Sequence, residues 1–339
     1  MKAENPVPVI DFSRLAVGGT NTEAAREIDR ACRASGFFYL QGHGIDQAAL
    51  DEVWAQARWF FSLPPEARQR VARSETNSRG YYDRELTKNV RDMKEVFDFG
   101  HVPAPDLLDD HPDNHTQDGW NQWPDAPGGA RFKAVMTGYF EQLSRVALRL
   151  LEVLTENLGA SADALTADFY PAHSSFLRLN YYPVKDPLSA TENAVRKSAE
   201  SGHMGVHHHT DAGALTLLLQ DEVGGLEILH GDSWWPVPPI PGTLVVNIGD
   251  IVQVWSNDQY QAPLHRVVAS KTRDRYSLPF FFNPVYEANY APLPETTGTR
   301  EPPHYRPINW GHFRHERQHG DYGDYGDEIQ ISDFRADGA

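Results

Sequence analysis

From about residue 170 the chain becomes a series of short apolar runs divided by Gly, Pro, Asn and Asp, and that spacing strongly limits its architecture. Residues 176–182, 214–220, 226–230, 243–248, 251–255, 266–270 and 276–282 each read as a strand. Seven or eight short strands at such intervals suit an antiparallel sandwich or jelly roll. The first half is written in another period. Ala24, Ala25, Ile28, Ala31 and Cys32 recur at helical spacing over 23–35, and 48–61 and 65–71 look helical too. Between them, 36–41 is a buried strand. The strongest helix spans 132–158, with Val135, Tyr139, Leu143, Val146, Ala147, Leu150, Leu151 and Leu154 on its apolar face and Gly159 as its stop. The expected fold is α+β with a mainly β core: a mainly helical region over 1–165, a jelly roll over 166–285, and a tail over 286–339 that packs on it. The tail carries a small repeat, Tyr322-Gly-Asp-Tyr-Gly-Asp327, read as a surface segment.

Composition narrows the class. A chain of 339 residues buries a large core without staples, and its one cysteine, Cys32, allows no internal disulfide. The first residues carry no charged-then-apolar leader, and no apolar run reaches membrane-spanning length. The expected compartment is the cytoplasm. A net charge of −16 opposes binding to nucleic acid phosphates and anionic membranes. The expected partner is a small molecule, and oligomeric state is left unassigned.

The chemistry-bearing segment is Gly205-Val-His-His-His-Thr-Asp211. His209 and Asp211 are two apart, a spacing that sends both side chains of a strand to one face. With His265 they make two imidazoles and one carboxylate, the donor set of non-haem Fe(II) oxygenases. With 15 histidines in the chain, a lone His-x-Asp is expected about once by chance, so the pair needs support. Arg275 and Ser277 supply it. Alternation puts them on one face with Pro279 and Phe281, opposite Tyr276, Leu278, Phe280 and Phe282. A buried guanidinium demands an anion, and it binds a carboxylate through two parallel hydrogen bonds.

The ordered series His209-x-Asp211, His265, Arg275-x-Ser277 resembles the 2-oxoglutarate/Fe(II) dioxygenase superfamily, and more narrowly its isopenicillin N synthase-like branch. Flanking blocks agree: Val7-Pro-Val-Ile-Asp-Phe12, Gly36-Phe-Phe-Tyr-Leu-Gln-Gly-His-Gly-Ile45, Lys94-Glu-Val-Phe-Asp-Phe-Gly100, Asn121-Gln-Trp-Pro124, Leu177-Arg-Leu-Asn-Tyr-Tyr-Pro183 and Ser277-Leu-Pro-Phe-Phe-Phe-Asn-Pro284. The resemblance implies a double-stranded β-helix. It implies His209, Asp211 and His265 as iron ligands, and Arg275 and Ser277 as the clamp on the distal carboxylate of 2-oxoglutarate. Asn180 and Tyr182 would support the same cosubstrate. The implied reaction consumes O2 and 2-oxoglutarate to hydroxylate, desaturate or cyclise a small molecule. Candidate substrate contacts are Tyr81, Tyr82, Arg84, His207, Leu226 and Phe281. Three alternatives stay open at this point: an isopenicillin N synthase-like oxidase without 2-oxoglutarate, an idle metal-binding jelly roll, and a zinc hydrolase. His304, His312, His315, Arg314 and Arg317 in the tail read as a charged helix face.

Overall fold

The computed structural model describes residues 6–15, 22–87, 90–102, 111, 118–185, 204–323 and 329–336, with backbone alone at 86, 90 and 318–323. Its helices are α1 (Glu23–Ala34), α2 (Gln47–Ser62), α3 (Pro65–Gln69), α4 (Gly129–Asn157), α5 (Asp250–Trp255) and α6 (Trp310–Gly323). The first two start where sequence provides a cap. Thr22 Oγ1 accepts from the Ala25 amide at 3.2 Å, and Asp46 Oδ1 from Ala49 at 2.7 Å. The long α4 ends at Gly159, whose φ of +91° lets the chain turn back so that Ala160 N–H reaches the Thr155 carbonyl at 3.0 Å.

The strands are β1 (Val9–Asp11), β2 (Phe37–Gln41), β3 (Gly80–Tyr82), β4 (Leu86–Thr87), β5 (Val90–Arg91), β6 (Glu95–Gly100), β7 (Phe176–Tyr182), β8 (Met204–His209), β9 (Leu215–Gln220), β10 (Leu226–His230), β11 (Ser233–Pro236), β12 (Leu244–Ile248), β13 (His265–Val268), β14 (Arg275–Phe282), β15 (Asn289–Tyr290) and β16 (Ile308–Asn309). Eight of them form one sheet in the order β1-β2-β12-β9-β14-β7-β6-β3. A smaller sheet, β11-β10-β13-β8, faces it, and together they make the jelly roll.

Parity along the strands divides the core in two. Leu278, Phe280 and Phe282 of β14 join Leu215, Leu217 and Leu219 of β9 on the outer face, against Phe140, Leu143 and Ala147 of α4. The opposite parity gives Phe37, Tyr39, Leu218 and Val245, which meet Val206, Leu226, Ile228 and Val267 of the small sheet between the layers. Cutting a fully buried ring such as Phe280 to Ala costs about 3–5 kcal/mol in cores of this kind.

One expectation changes. Residues 251–255 are helical, within α5, and not a strand. All but Gln253 of that helix are buried, so neither a period of 2 nor of 3.6 shows in the sequence. The first 165 residues carry the helices α1 to α4, and they also supply β1, β2, β3 and β6 to the large sheet. The tail reaches into the core through α6, by Trp310 and Phe313. Trp310 at the start of α6 is 1% exposed, and its Nε1 donates to Ser174 Oγ at 2.8 Å. The tail repeat falls outside the residues whose side chains are described.

Candidate metal centre and anion clamp

His209 ends β8 and His265 begins β13, and the antiparallel register makes them direct cross-strand partners. Their ring centroids lie 4.3 Å apart. Each Nδ1 faces a backbone carbonyl, His209 that of His207 at 2.8 Å and His265 that of Pro263 at 3.0 Å. A carbonyl only accepts, so each Nδ1 carries the hydrogen and each Nε2 presents a lone pair. Both Nε2 atoms point at one carboxylate oxygen, Asp211 Oδ1, at 3.6 and 3.7 Å. The three donor atoms lie within 4.8 Å of one another, close enough to share an ion. His209 and Asp211 converge, but not as two residues on one face of a strand. β8 stops at His209, so Asp211 sits in the turn beyond it.

Electrostatics prepare the same cluster. Burial and the neighbouring His265 imidazole push His209 down to about 3, although a quarter of its side chain is open to the cleft. Burial opposes the charge of Asp211, but His265, His209 and the donors Thr216 and Asn247 outweigh it and hold the carboxyl below its usual range.

The second feature is the clamp. Arg275 and Ser277 on β14 lie opposite Tyr182 and Asn180 on β7. Arg275 is fully buried, and its guanidinium lies 4.8 Å from the Tyr182 ring centre. Arg275 Nη1 donates to Ser277 Oγ at 3.1 Å, and Asn180 Nδ2 reaches the same oxygen at 3.3 Å. With two donors directed at it, the Ser277 hydroxyl is left to donate outward. Arg275 Nε and Nη2 have no protein partner despite their burial. Those two atoms form one edge of the guanidinium, matched in spacing to a carboxylate. A buried cation with a free two-point edge fits a dicarboxylate cosubstrate, and two imidazoles with one carboxylate fit non-haem iron.

The cleft beside Asp211 is bounded by Phe176, Phe281, Trp310, Lys94, Arg178 and Arg314. Phe281 therefore faces the cleft, and its ring stacks on Phe176 at 4.6 Å. Arg314 lies over the same Phe176 ring at 5.3 Å. Arg317, also in the wall, reaches the Thr210 carbonyl at 3.4 Å. The supposed outer face of the tail helix thus closes one side of the site. Lys94 and Arg178 converge on Glu85 at 2.9 and 2.6 Å, and Arg178 grips Asp98 with two more hydrogen bonds. Lys94, Asp98 and Arg178 lie in the flanking blocks of the resemblance, but no role was read for them, because their partners come from distant segments.

Other expected substrate contacts lie elsewhere. The Tyr81 hydroxyl donates to Glu95 at 2.5 Å, inside the outer core. Tyr82 stacks under Arg73, and Arg84 is exposed beside Asp83. None of the three lines the cleft. Leu226 packs between the sheets. His207 turns its Nδ1 to Asp92 at 3.0 Å, behind the cleft wall. Sequence alternation cannot separate a lining residue from one buried a layer behind it.

Comparison with known proteins agrees with this geometry. Residues 173–284 match the model of the 2OG-Fe(II) oxygenase superfamily, and residues 7–126 match that of the non-haem dioxygenase in morphine synthesis N-terminal. Jasmonate-induced oxygenase 1 of Arabidopsis thaliana is 31% identical over 92% of this chain and 72% of its own length. Among solved structures, a full-length Neurospora crassa protein in complex with alpha-KG and thymine has a TM-score of 0.74 at 27% identity, covering 90% of this chain and 94% of that one. JOX2 in complex with 2OG, Fe and JA has the same TM-score at 29% identity, covering 91% and 83%. Fold, paired histidines and clamp thus occur in a chain that belongs to the 2OG-Fe(II) oxygenase superfamily.

Proposed function

We propose that His209, Asp211 and His265 hold Fe(II), and that Arg275 and Ser277, supported by Asn180 and Tyr182, hold 2-oxoglutarate. The enzyme itself is a 2-oxoglutarate- and Fe(II)-dependent oxygenase that oxidises a small organic molecule. When bound, iron and 2-oxoglutarate couple the reduction of O2 to loss of CO2, giving succinate and an oxidised substrate C–H bond. The observation that carries the assignment is Arg275: a fully buried guanidinium whose Nε and Nη2 edge lacks a protein partner. Such a group is tolerable only where an anion completes it.

The chain's part is to bind and orient. The two carbonyls behind His209 and His265 fix the tautomers that offer Nε2. Arg275 and Ser277 set the distance of the cosubstrate by gripping its far carboxylate. Phe176, Phe281, Trp310 and Arg314 shape the space in which the substrate lies and exclude bulk water from it. Hydroxylation, desaturation and cyclisation all start from this arrangement. Residues 166–285 are read as the catalytic unit, with 1–165 and 286–339 supporting it. A single cysteine favours a reducing compartment such as the cytoplasm, and the −16 charge disfavours nucleic acid and anionic membrane partners. Among the described residues no helix is long and apolar enough to cross a membrane.

The test is an anaerobic titration. Metal-free protein loaded with Fe(II) should develop a weak, saturable visible charge-transfer band as 2-oxoglutarate is added, and Arg275→Ala should need far more of it. Stoichiometric Fe(II) without any band would sink the cosubstrate assignment; failure to bind Fe(II) would sink the metal assignment.

A further inference from the structure

We infer that Thr216 and Asn247 lock Asp211 as a one-oxygen ligand, and by doing so keep a coordination position open. The inference rests on the reading that His209, Asp211 and His265 hold the metal. Asp211 Oδ2 accepts from Thr216 Oγ1 at 2.5 Å and from Asn247 Nδ2 at 2.7 Å. A carboxylate oxygen has two lone-pair directions, so both on Oδ2 are filled. Oδ1 is left facing the two Nε2 atoms. The carboxylate is therefore asymmetric before any metal arrives.

The lock is rigid because of where its parts stand. Thr216 on β9 and Asn247 on β12 are cross-strand partners in the large sheet. Thr216 is 5% exposed, Asn247 3% and Asp211 8%, so water does not compete for the same bonds. The backbone of the ligand turn is pinned from the same side. Asp250 N–H donates to the Asp211 carbonyl at 2.8 Å, Ile251 N–H to the Gly213 carbonyl at 3.2 Å, and Gly249 N–H to the Ala214 carbonyl at 2.8 Å. These amides lie at the start of α5, where N–H groups have no partner within the helix. Gly249 is required for this approach: a Cβ there would come within 2.2 Å of the Gly213 carbonyl oxygen and 2.7 Å of that of Asp211. The turn cannot retreat, and the carboxylate cannot rotate without breaking two buried hydrogen bonds.

The consequence concerns coordination. Two imidazoles and one carboxylate oxygen would supply three donors to a bound Fe(II) and leave further positions open. A second oxygen from Asp211 would take a position needed by a two-point cosubstrate and the gaseous reactant. Thr216 and Asn247 are thus positioning residues that act through Asp211.

The test uses the full-length chain freed of metal and titrated with Co(II), read by affinity and by visible d–d bands. Thr216→Val removes the hydroxyl while keeping the side-chain shape, Thr216→Ser restores it, and Asn247→Ala removes the second donor. Thermal unfolding of each metal-free variant verifies the fold, and whichever single-donor variant folds supplies the reading. Thr216→Val and Asn247→Ala are expected to weaken Co(II) about tenfold or more. They should also change the d–d bands as the freed oxygen joins the metal, and Thr216→Ser should return both to wild type. Wild-type affinity and bands in the folded variants, or weaker binding with unchanged bands, would overturn the inference. Asp211→Ala is the control beneath it. Wild-type Co(II) binding by that variant would overturn the metal reading itself, a different failure.

Discussion

The two ends of β14 are built by different means. At its start, Arg275 and Ser277 stand opposite Tyr182 and Asn180 in unbroken antiparallel register. Near its other end, about 20 Å along the strand, Phe281 meets a cleft wall that also draws Lys94 from just before β6, Arg178 from β7, and Trp310 and Arg314 from α6. The first end is a product of one strand pair. The second needs segments separated by more than 200 residues to dock together. A fixed anchor and an assembled mouth follow, and the two ends should respond to mutation in different ways.

The sharpest break is at the point both ends serve. His265→Ala removes one of the paired imidazoles and should abolish Fe(II) binding and reduce succinate release to background. Full activity in that variant would remove the metal assignment and leave the comparison without a centre. Next in size is the anchor. Truncating one member of a buried charge pair costs about 2–5 kcal/mol, so Arg275→Ala should raise the 2-oxoglutarate concentration at half-saturation by about thirtyfold or more. Iron binding should stay intact. An unchanged titration would mean that the free guanidinium edge serves some other anion.

The mouth should fail differently. Phe281→Ala removes half of a half-buried aromatic pair. It should leave 2-oxoglutarate half-saturation within about twofold, since Phe281 stands about 20 Å along β14 from Arg275. What should change is the set of compounds that drive succinate release in a screen. If Phe281→Ala weakened 2-oxoglutarate as Arg275→Ala does, anchor and mouth would not be separate sites.

The same contrast explains what was legible in the sequence. Arg275, Ser277 and Phe281 were placed on one face because a strand alternates whatever surrounds it. His209 and His265 were paired through a motif order, and the β8–β13 register turns that order into contact. Asp211 was found by spacing, but its position comes from a turn and from α5, whose buried sequence hides its period. Arg314 was read as a solvated helix face because a charged residue on an isolated helix normally is one. Its place over Phe176 depends on where α6 docks, and that information lies in long-range packing. Asn247 and Thr216 were missed for a related reason. Each is an ordinary polar residue in a strand, and only the β9–β12 register brings both to one carboxylate oxygen.

Substitution at Tyr182 tests how the anchor is supported. The resemblance assigned the Tyr182 hydroxyl to the cosubstrate. In the structure the ring also lies close to the guanidinium, 4.8 Å from centroid to carbon. Tyr182 is 3% exposed, and Gly205 lies so near that a Cβ there would meet the ring at 2.7 Å. The ring is therefore packed against both Gly205 and Arg275, and a cation over an aromatic face contributes about 2 kcal/mol when desolvated. Tyr182→Phe keeps that ring and loses only the hydroxyl, so 2-oxoglutarate half-saturation should rise by no more than about threefold. Tyr182→Ala should lose most of the anchor, because it frees the guanidinium to leave the plane that Ser277 shares. A large loss in Tyr182→Phe, measured in the same anaerobic titration, would move the contact from the ring to the hydroxyl and make Tyr182 a direct partner of the cosubstrate.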